Sequence, residues 1–104
     1  MSKDDWDHAM AQRLEGALVL VGLAWIQPEG KRQEQFFGTV MAVDPRDGVT
    51  LRLEGRRAGE IYRLPPDLEA FEAAAPGSYR LSETGEFVDD PDFTSTWTLT
   101  PPKN

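Results

Sequence analysis

The chain has 104 residues, 39% of them hydrophobic, a formal net charge of −7 at pH 7, and no cysteine. This length predicts a single domain over residues 1–104 with enough buried surface to fold alone, and the apolar content excludes a disordered chain. The absence of cysteine excludes disulfides and cysteine-ligated zinc.

No targeting or membrane-spanning segment is expected. The first ten residues, MSKDDWDHAM, hold no apolar stretch of the kind that a secretory signal contains. The most apolar run, ALVLVGLAWI at 17–26, is too short to cross a bilayer as a helix. We therefore expect a cytoplasmic protein without membrane association.

A short helix over residues 2–14 is predicted first, followed by a strand over 17–27. Ser2 can cap the helix, and Trp6 and Met10 lie four positions apart on one helical face. Both faces of the strand are apolar, so both should be covered. One face should meet the core, and the helix could cover the other.

The middle of the chain predicts three further strands with tight connections. Residues 34–44 form a strand that Gly38 allows to bend, and DPRDG at 44–48 is a turn. GVTLRLEG at 48–55 alternates most cleanly between apolar and polar positions, and a further strand covers 60–64.

The last third predicts a second short helix over 67–74, a hairpin of 78–81 with 85–88, and a final strand over 92–100. Threonine occupies every second position at the end of this last strand, which is typical of a half-exposed face. Trp97 lies on the opposite parity and should point inward.

The expected fold is therefore mainly β, with a minor α component. Five to seven short strands, an N-terminal helix and one short helix near 67–74 favour a small, strongly bent antiparallel barrel that is partly open.

Residues 36–53, FFGTVMAVDPRDGVTLRL, resemble the first motif of Sm-like proteins. That family has an N-terminal helix before a five-stranded bent barrel, and SH3-like barrels share this layout. The comparable positions are Phe36, Gly38, Val40, Asp44, Val49 and Leu51. The resemblance implies a barrel and RNA binding, but Asp47 and Gly48 stand where the family commonly carries its RNA-contacting asparagine. The family's second motif, with its basic-Gly pair, is missing.

The rest of the chain, with LPPDLEAF and DPDFTSTWTL, looks like that of small uncharacterised bacterial proteins. This resemblance implies no activity.

The candidate binding residues are arginines in an otherwise acidic chain. Residues 45–64 hold five arginines against three acids, a local charge of +2, whereas residues 65–104 hold eight acids against two bases. We expect an anion-binding or partner-binding patch composed of Arg52, Arg56, Arg57 and Arg63. The alternative is cross-strand pairing of these arginines with Glu54 and Glu60.

Asp89, Asp90 and Asp92 are the weak candidates for a metal site. Asp90, Asp92 and Thr94 have the spacing of the first ligands of an EF-hand loop. Ser95 stands where that loop requires glycine, and Pro101 where it requires glutamate, so an EF-hand is excluded. The favoured interpretation is turn chemistry, in which aspartate side chains bond to nearby backbone N–H groups.

No catalytic grouping is recognisable. His8 is the single histidine and is expected on an exposed face of the first helix, and the chain has no glycine-rich phosphate loop. We expect no cofactor and no enzymatic activity. An enzyme with a carboxylate or metal site is the least favoured alternative.

The predicted function is a non-catalytic, acidic interaction module that binds another protein, through its acidic C-terminal half or its arginines. One form is an inhibitor or immunity protein that neutralises a basic partner. Nucleic-acid binding of the Sm-like or SH3-like kind is the alternative, in which the arginines converge beside exposed aromatic rings. A homodimer that pairs apolar sheet edges is also expected.

Overall fold

The computed structural model of the chain describes residues 6–100. Over this range the protein is mainly β, as predicted, with one short α-helix. The helix is α1 (His8–Leu14), and the strands are β1 (Leu18–Gln27), β2 (Gly30–Asp44), β3 (Gly48–Leu53), β4 (Ile61–Leu64), β5 (Phe71–Ala73), β6 (Ser78–Arg80), β7 (Phe87–Asp89) and β8 (Phe93–Leu99). Two single 3-10 turns cover Gly55–Arg57 and Leu68–Ala70.

Six strands form one sheet in the order β4-β3-β2-β1-β8-β5, and β6 pairs with β7 in a separate hairpin. The prediction of a wholly antiparallel sheet is wrong, because β8 runs parallel to β1 from Val19 opposite Phe93 to Trp25 opposite Leu99. Parallel neighbours need a long connection, and the intervening strands supply it. Strands β4 and β5 lie at opposite ends of the order and do not pair with each other, so the sheet is not closed.

The core lies on one side of this sheet, which we call the inner face. Val19, Val21 and Leu23 of β1 point into it and are at most 3% exposed. Ala11 and Leu14 of α1 join the same apolar cluster. The helix therefore packs on the inner face, and the expectation that it covers the other face is wrong.

The β6–β7 hairpin lies against the opposite, outer face of the sheet instead. Gln35 of β2 faces outward, opposite Gly22, and its side-chain oxygen accepts hydrogen bonds from the backbone N–H (2.8 Å) and hydroxyl (3.0 Å) of Ser82. Leu81 and Val88 of the hairpin segment are buried. The outer face of β1 and β2 is thus partly covered without the helix.

The last strand has the predicted alternation. Phe93 and Ser95 are buried on the inner face, whereas Thr96 and Thr98 are exposed. Trp97 points inward, as predicted, and packs edge-on against Phe71 with ring centroids 6.1 Å apart.

The predicted helix at 67–74 is wrong. Asp67 does cap a turn, accepting from the Glu69 N–H at 3.3 Å, but the turn ends at Ala70 and the chain continues as β5. A helix of two turns is costly to nucleate. Pairing with β8 supplies Phe71–Ala73 with backbone partners, and the Ser95 hydroxyl donates to the Ala70 carbonyl at 2.9 Å.

Helix α1 starts later than predicted. Asp7 is its N-cap and accepts a hydrogen bond from the Met10 N–H at 3.0 Å. The predicted cap, Ser2, lies outside the described residues.

The β2–β3 hairpin contains a tight turn and a close backbone approach. A Cβ on Gly38 would lie 2.6 Å from the Arg52 carbonyl oxygen, so this position requires glycine. At the turn, Asp44 accepts from the backbone N–H groups of Asp47 (2.8 Å) and Arg46 (2.7 Å). These two donors, the Asp47 N–H most of all, lower the pKa of the Asp44 carboxyl.

Candidate functional site

Two of the four predicted arginines share the outer face of β3 and β4. Arg52 pairs with Ile61, and Thr50 pairs with Arg63, so Arg52 and Arg63 are diagonal neighbours across the two strands. Both arginines are exposed, and neither has an ion-pair partner among residues 6–100. Their guanidinium groups therefore remain available for an external carboxylate or phosphate.

An exposed apolar side chain lies between them. Ile61 is 58% exposed, an unusual position for a large aliphatic residue, and it sits beside Arg52 in the strand register. We call Arg52, Ile61 and Arg63 the outer patch. Met41, 54% exposed, lies at the β-bulge of the neighbouring strand β2.

Arg57 does not belong to this patch. It binds Glu34 at 2.8 Å and Glu60 at 2.9 Å, and its guanidinium carbon lies 4.9 Å from the centroid of the Phe36 ring. Phe36 is an inner-face residue with 2% exposure, so Arg57 lies on the core side of the sheet. Its hydrogen bond with Glu60 is the main cause that raises the pKa of Arg57, which keeps the group charged.

Arg56 is exposed at the 3-10 turn that follows β3. Its backbone N–H donates to a carboxylate oxygen of Glu86 at 2.7 Å, which fastens this turn to the β6–β7 hairpin segment. A Cβ on Gly55 would clash with the same carboxylate and with the Phe37 ring. Arg56 thus lies at a packed junction between the sheet and the hairpin.

The structure therefore brings Arg52 and Arg63 together and directs Arg57 to the other side of the sheet. The expected cross-strand pairing with Glu54 and Glu60 is not found among residues 6–100, because the Arg57–Glu60 pair joins residues three positions apart in the β3–β4 connection. Glu60 pairs with Arg57, but Glu54 accepts a short hydrogen bond from the Thr39 hydroxyl.

The aromatic rings near the arginines are largely occupied by the core. Phe36 is buried, and Tyr62 packs against it with ring centroids 4.8 Å apart and an interplanar angle of 46°. Burial is the main cause that raises the pKa of the Tyr62 phenol, with a further contribution from Glu34. Burial leaves the Phe36 ring no face for base stacking, and the half-buried Tyr62 ring packs against Phe36.

Asp90 and Asp92 have structural roles that the sequence did not reveal. Asp90 accepts from the Gly77 N–H at 2.8 Å, and its own N–H donates to the Gly77 carbonyl at 2.7 Å. Asp92 makes the same reciprocal pair with Leu18, at 2.9 and 2.8 Å. These bonds connect distant segments, so the expectation of bonds to nearby backbone groups is wrong for both side chains.

Asp89 and Asp90 differ in backbone as well as in contacts. Asp89 belongs to β7, is exposed and makes no side-chain hydrogen bond among the described residues. Asp90 has φ of +49°, a left-handed conformation that aspartate tolerates better than most residues. No group of three or more His, Cys, Asp or Glu within residues 6–100 is arranged to hold a metal ion. His8, the first residue of α1, is exposed.

A cleft lies between the start of α1 and the segment before β5, and no sequence pattern pointed to it. Its volume is about 620 Å³, and its apolar wall includes Trp6, Met10 and Phe71. Asp7 and Asp67 at its rim both act as caps of their own turns, so their carboxylates are already hydrogen-bonded.

Comparisons with protein-family models, with curated proteins and with solved structures found no match. Over residues 6–100 no helix is both long and apolar enough to cross a membrane.

Proposed function

We propose that the chain is a non-catalytic interaction module that binds another protein through its outer patch. The observation that carries this proposal is Ile61, which is 58% exposed beside two arginines that have no ion-pair partner among residues 6–100. The centres of protein interfaces are more apolar than the surrounding surface and are enriched in arginine. The exposed part of Ile61 adds no apolar burial to the isolated chain, but it is buried when a partner covers it.

The arrangement favours a partner with an apolar contact site flanked by carboxylates. Each arginine offers a planar, two-pronged donor that matches a carboxylate. Burying most of the exposed surface of Ile61 contributes about 1–2 kcal/mol to association, from the usual worth of a buried aliphatic side chain. Two charge-assisted contacts at the rim add specificity and faster association.

The inhibitor or immunity form of this proposal involves a basic partner instead, attracted by the net charge of −7. Several of the acids that it would use are engaged internally, since Glu86, Asp90 and Asp92 hold backbone N–H groups. The outer patch is therefore the better-supported contact surface. The absence of cysteine suits a reducing compartment, and a cytoplasmic setting is part of the proposal.

A capture experiment tests the protein-binding proposal. The wild-type chain, an Ile61→Asp variant and an Ile26→Asp control are immobilised, exposed to lysate of the native cell, and their bound proteins identified by mass spectrometry. Ile26 is a matched control, because it is also an exposed aliphatic residue, at 39%, but lies at the distant end of β1.

We expect one or more proteins that bind the wild type and the Ile26→Asp control and are lost with Ile61→Asp. Circular dichroism must show all three chains folded. Equal capture by Ile61→Asp and the wild type contradicts the use of the outer patch.

The second candidate function is nucleic-acid binding of the Sm-like or SH3-like kind. Under this second proposal the fold is an open variant of such a barrel. The helix before β1, and Gly38 in β2, support this kinship. Arg52 and Arg63 could contact phosphates, but Arg57 is ion-paired and Phe36 is buried. Titration with single-stranded RNA at two salt concentrations separates the candidates, because phosphate binding weakens steeply with salt. If the chain binds no RNA at low salt, the nucleic-acid-binding candidate is excluded.

A further inference from the structure

The far end of β8 has no strand partner on one side, although the 3-10 turn Leu68–Ala70 contacts β8. Strand β5 covers only the first three residues of β8, pairing with Phe93, Thr94 and Ser95. Over residues 6–100, no strand pairs with Thr96–Leu99 on that side. We propose that this segment, the β8 edge, binds the same edge of a second copy of the chain in antiparallel orientation.

The β8 edge lacks the devices that keep exposed strands from pairing. Its residues, Thr-Trp-Thr-Leu, are uncharged and rich in side chains that favour strands. The opposite edge of the sheet, β4, carries Arg63 and is followed by Pro65 and Pro66, both common protections against edge pairing. The β4 edge is thus protected against pairing and the β8 edge is not, as expected if only β8 pairs with a second copy of the chain.

The directions in which the backbone N–H and C=O groups of β8 point permit a two-fold symmetry axis at Thr98. The Ala74 N–H donates to the Asp92 carbonyl at 3.1 Å, so this carbonyl is directed toward the β5 side of β8, whereas the Asp92 N–H donates to Leu18 on the β1 side. Along a strand, the carbonyls of every second residue point to the same side. Continued along β8, this alternation directs the N–H and C=O groups of Thr96 and Thr98 toward the open edge.

A two-fold axis at Thr98 sets each residue of the β8 edge opposite a compatible residue of the second copy. Thr98 meets the partner's Thr98 and exchanges two backbone hydrogen bonds with it. Trp97 meets the partner's Leu99 on the inner face, and Thr96 meets the partner's Thr100 on the outer face. Aromatic–aliphatic and threonine–threonine pairs are both favourable neighbours across strands.

The neighbouring residues limit the length of this intermolecular pairing. The next position would set Ser95 opposite residue 101 of the partner, but β5 already occupies that side of Ser95. Residue 101 is proline in the sequence, which has no N–H to donate. The paired segment is therefore limited to residues 96–100 of each copy.

The net charge makes this a weak, salt-dependent dimer. Each copy carries −7, so association is opposed by long-range repulsion, but no charge lies within the paired segment. Salt screens the electrostatic repulsion between the two copies and leaves the backbone hydrogen bonds intact. Dimerisation should therefore increase with protein concentration and with ionic strength, whereas contacts carried by ion pairs weaken with salt.

Sedimentation velocity over a series of concentrations, at low and high salt, tests this proposal. The wild type should shift from monomer to dimer as concentration and salt rise. Thr98→Lys should remain monomeric throughout, because it sets two like charges opposite each other at the axis. Thr96→Lys, on the same exposed face, is a second variant in case Thr98→Lys does not fold.

Ile61→Lys on β4 is the control, and it should dimerise like the wild type. This separates the two proposals, because Ile61 belongs to the outer patch and Thr98 does not. A wild type that stays monomeric at every concentration and salt overturns the inference. So does a dimer that survives Thr98→Lys and Thr96→Lys in folded protein, or one that Ile61→Lys abolishes.

Discussion

Replacing Asp92 with alanine should destabilise the protein, although the residue is exposed. Its carboxylate accepts the Leu18 N–H at 2.9 Å and thereby joins the start of β8 to the start of β1. Hydrogen bonds to charged groups contribute about 1.5–3 kcal/mol, and exposure favours the lower end. We expect a loss of about 1.5 kcal/mol, because the backbone bond from the Asp92 N–H to the Leu18 carbonyl remains.

Urea unfolding followed by tryptophan fluorescence measures this loss. With a slope of roughly 1.5 kcal/mol per molar urea for a chain of this size, the midpoint should fall by about 1 M. The melting temperature should fall by roughly 6 °C, from the usual entropy of unfolding. Asp92→Asn retains a side-chain acceptor without the charge, so it should lose about half as much.

Asp89→Ala is the matched control, since Asp89 lies in the same acidic run but its side chain makes no hydrogen bond among the described residues. It should change stability by less than about 0.5 kcal/mol. A metal site would give a different pattern. Calcium or magnesium would stabilise the wild type by mass action, and both substitutions would remove that gain. Equal destabilisation by Asp89→Ala and Asp92→Ala, or a melting temperature that depends on these ions, would refute the role assigned to Asp92.

Three further predictions concern single interactions. Ser95→Ala should cost about 1–2 kcal/mol in urea unfolding, because it removes the hydroxyl that donates to the Ala70 carbonyl at a site that is 2% exposed. In an absorbance titration Tyr62 should ionise above the ordinary tyrosine pKa of about 10. The stability that neutral Tyr62 contributes is therefore present below about pH 10 and lost as the pH rises through its folded pKa. Arg57→Met should raise the pKa of Tyr62 further, since the Arg57 cation lowers that pKa. Asp44 should titrate below its ordinary pKa by carbon-detected NMR, and the stability it contributes is present above that ordinary pKa and lost as pH falls through its folded value.

The strands were predictable because their signal is local. Val49, Leu51 and Leu53 alternate with polar residues, and all three are at most 1% exposed in β3. The turn at 44–48 and the inward side of β8 follow from equally short patterns. Such alternation fixes which side of a strand is buried without any knowledge of its neighbours.

The errors come from interactions between distant segments. The direction of β8 relative to β1 depends on a connection that no short window reveals. Phe71–Ala73 forms a strand because β8 offers it backbone partners. Helical spacing alone could not show this.

The candidate site was predictable in residue type but not in arrangement. The parity of β3 and β4 placed Arg52 and Arg63 outward, as observed. Arg57 turns to the inner face because Glu34, 23 positions away in sequence, pairs with it there. The same parity sets Ile61 on the outer face with Arg63, but its exposure was not predicted, since an isoleucine in a strand is ordinarily a core residue.

A charge reversal within the outer patch tests the proposed function most directly. Arg63→Glu and Arg46→Glu make the same change in net charge, but Arg46 lies in the turn between β2 and β3, outside the patch. Affinity for the captured partner is measured by titration calorimetry at one salt concentration. Arg63→Glu should weaken binding at least about tenfold, or 1.4 kcal/mol, while Arg46→Glu stays near the wild type. Equal affinities of the two variants would contradict binding through the outer patch.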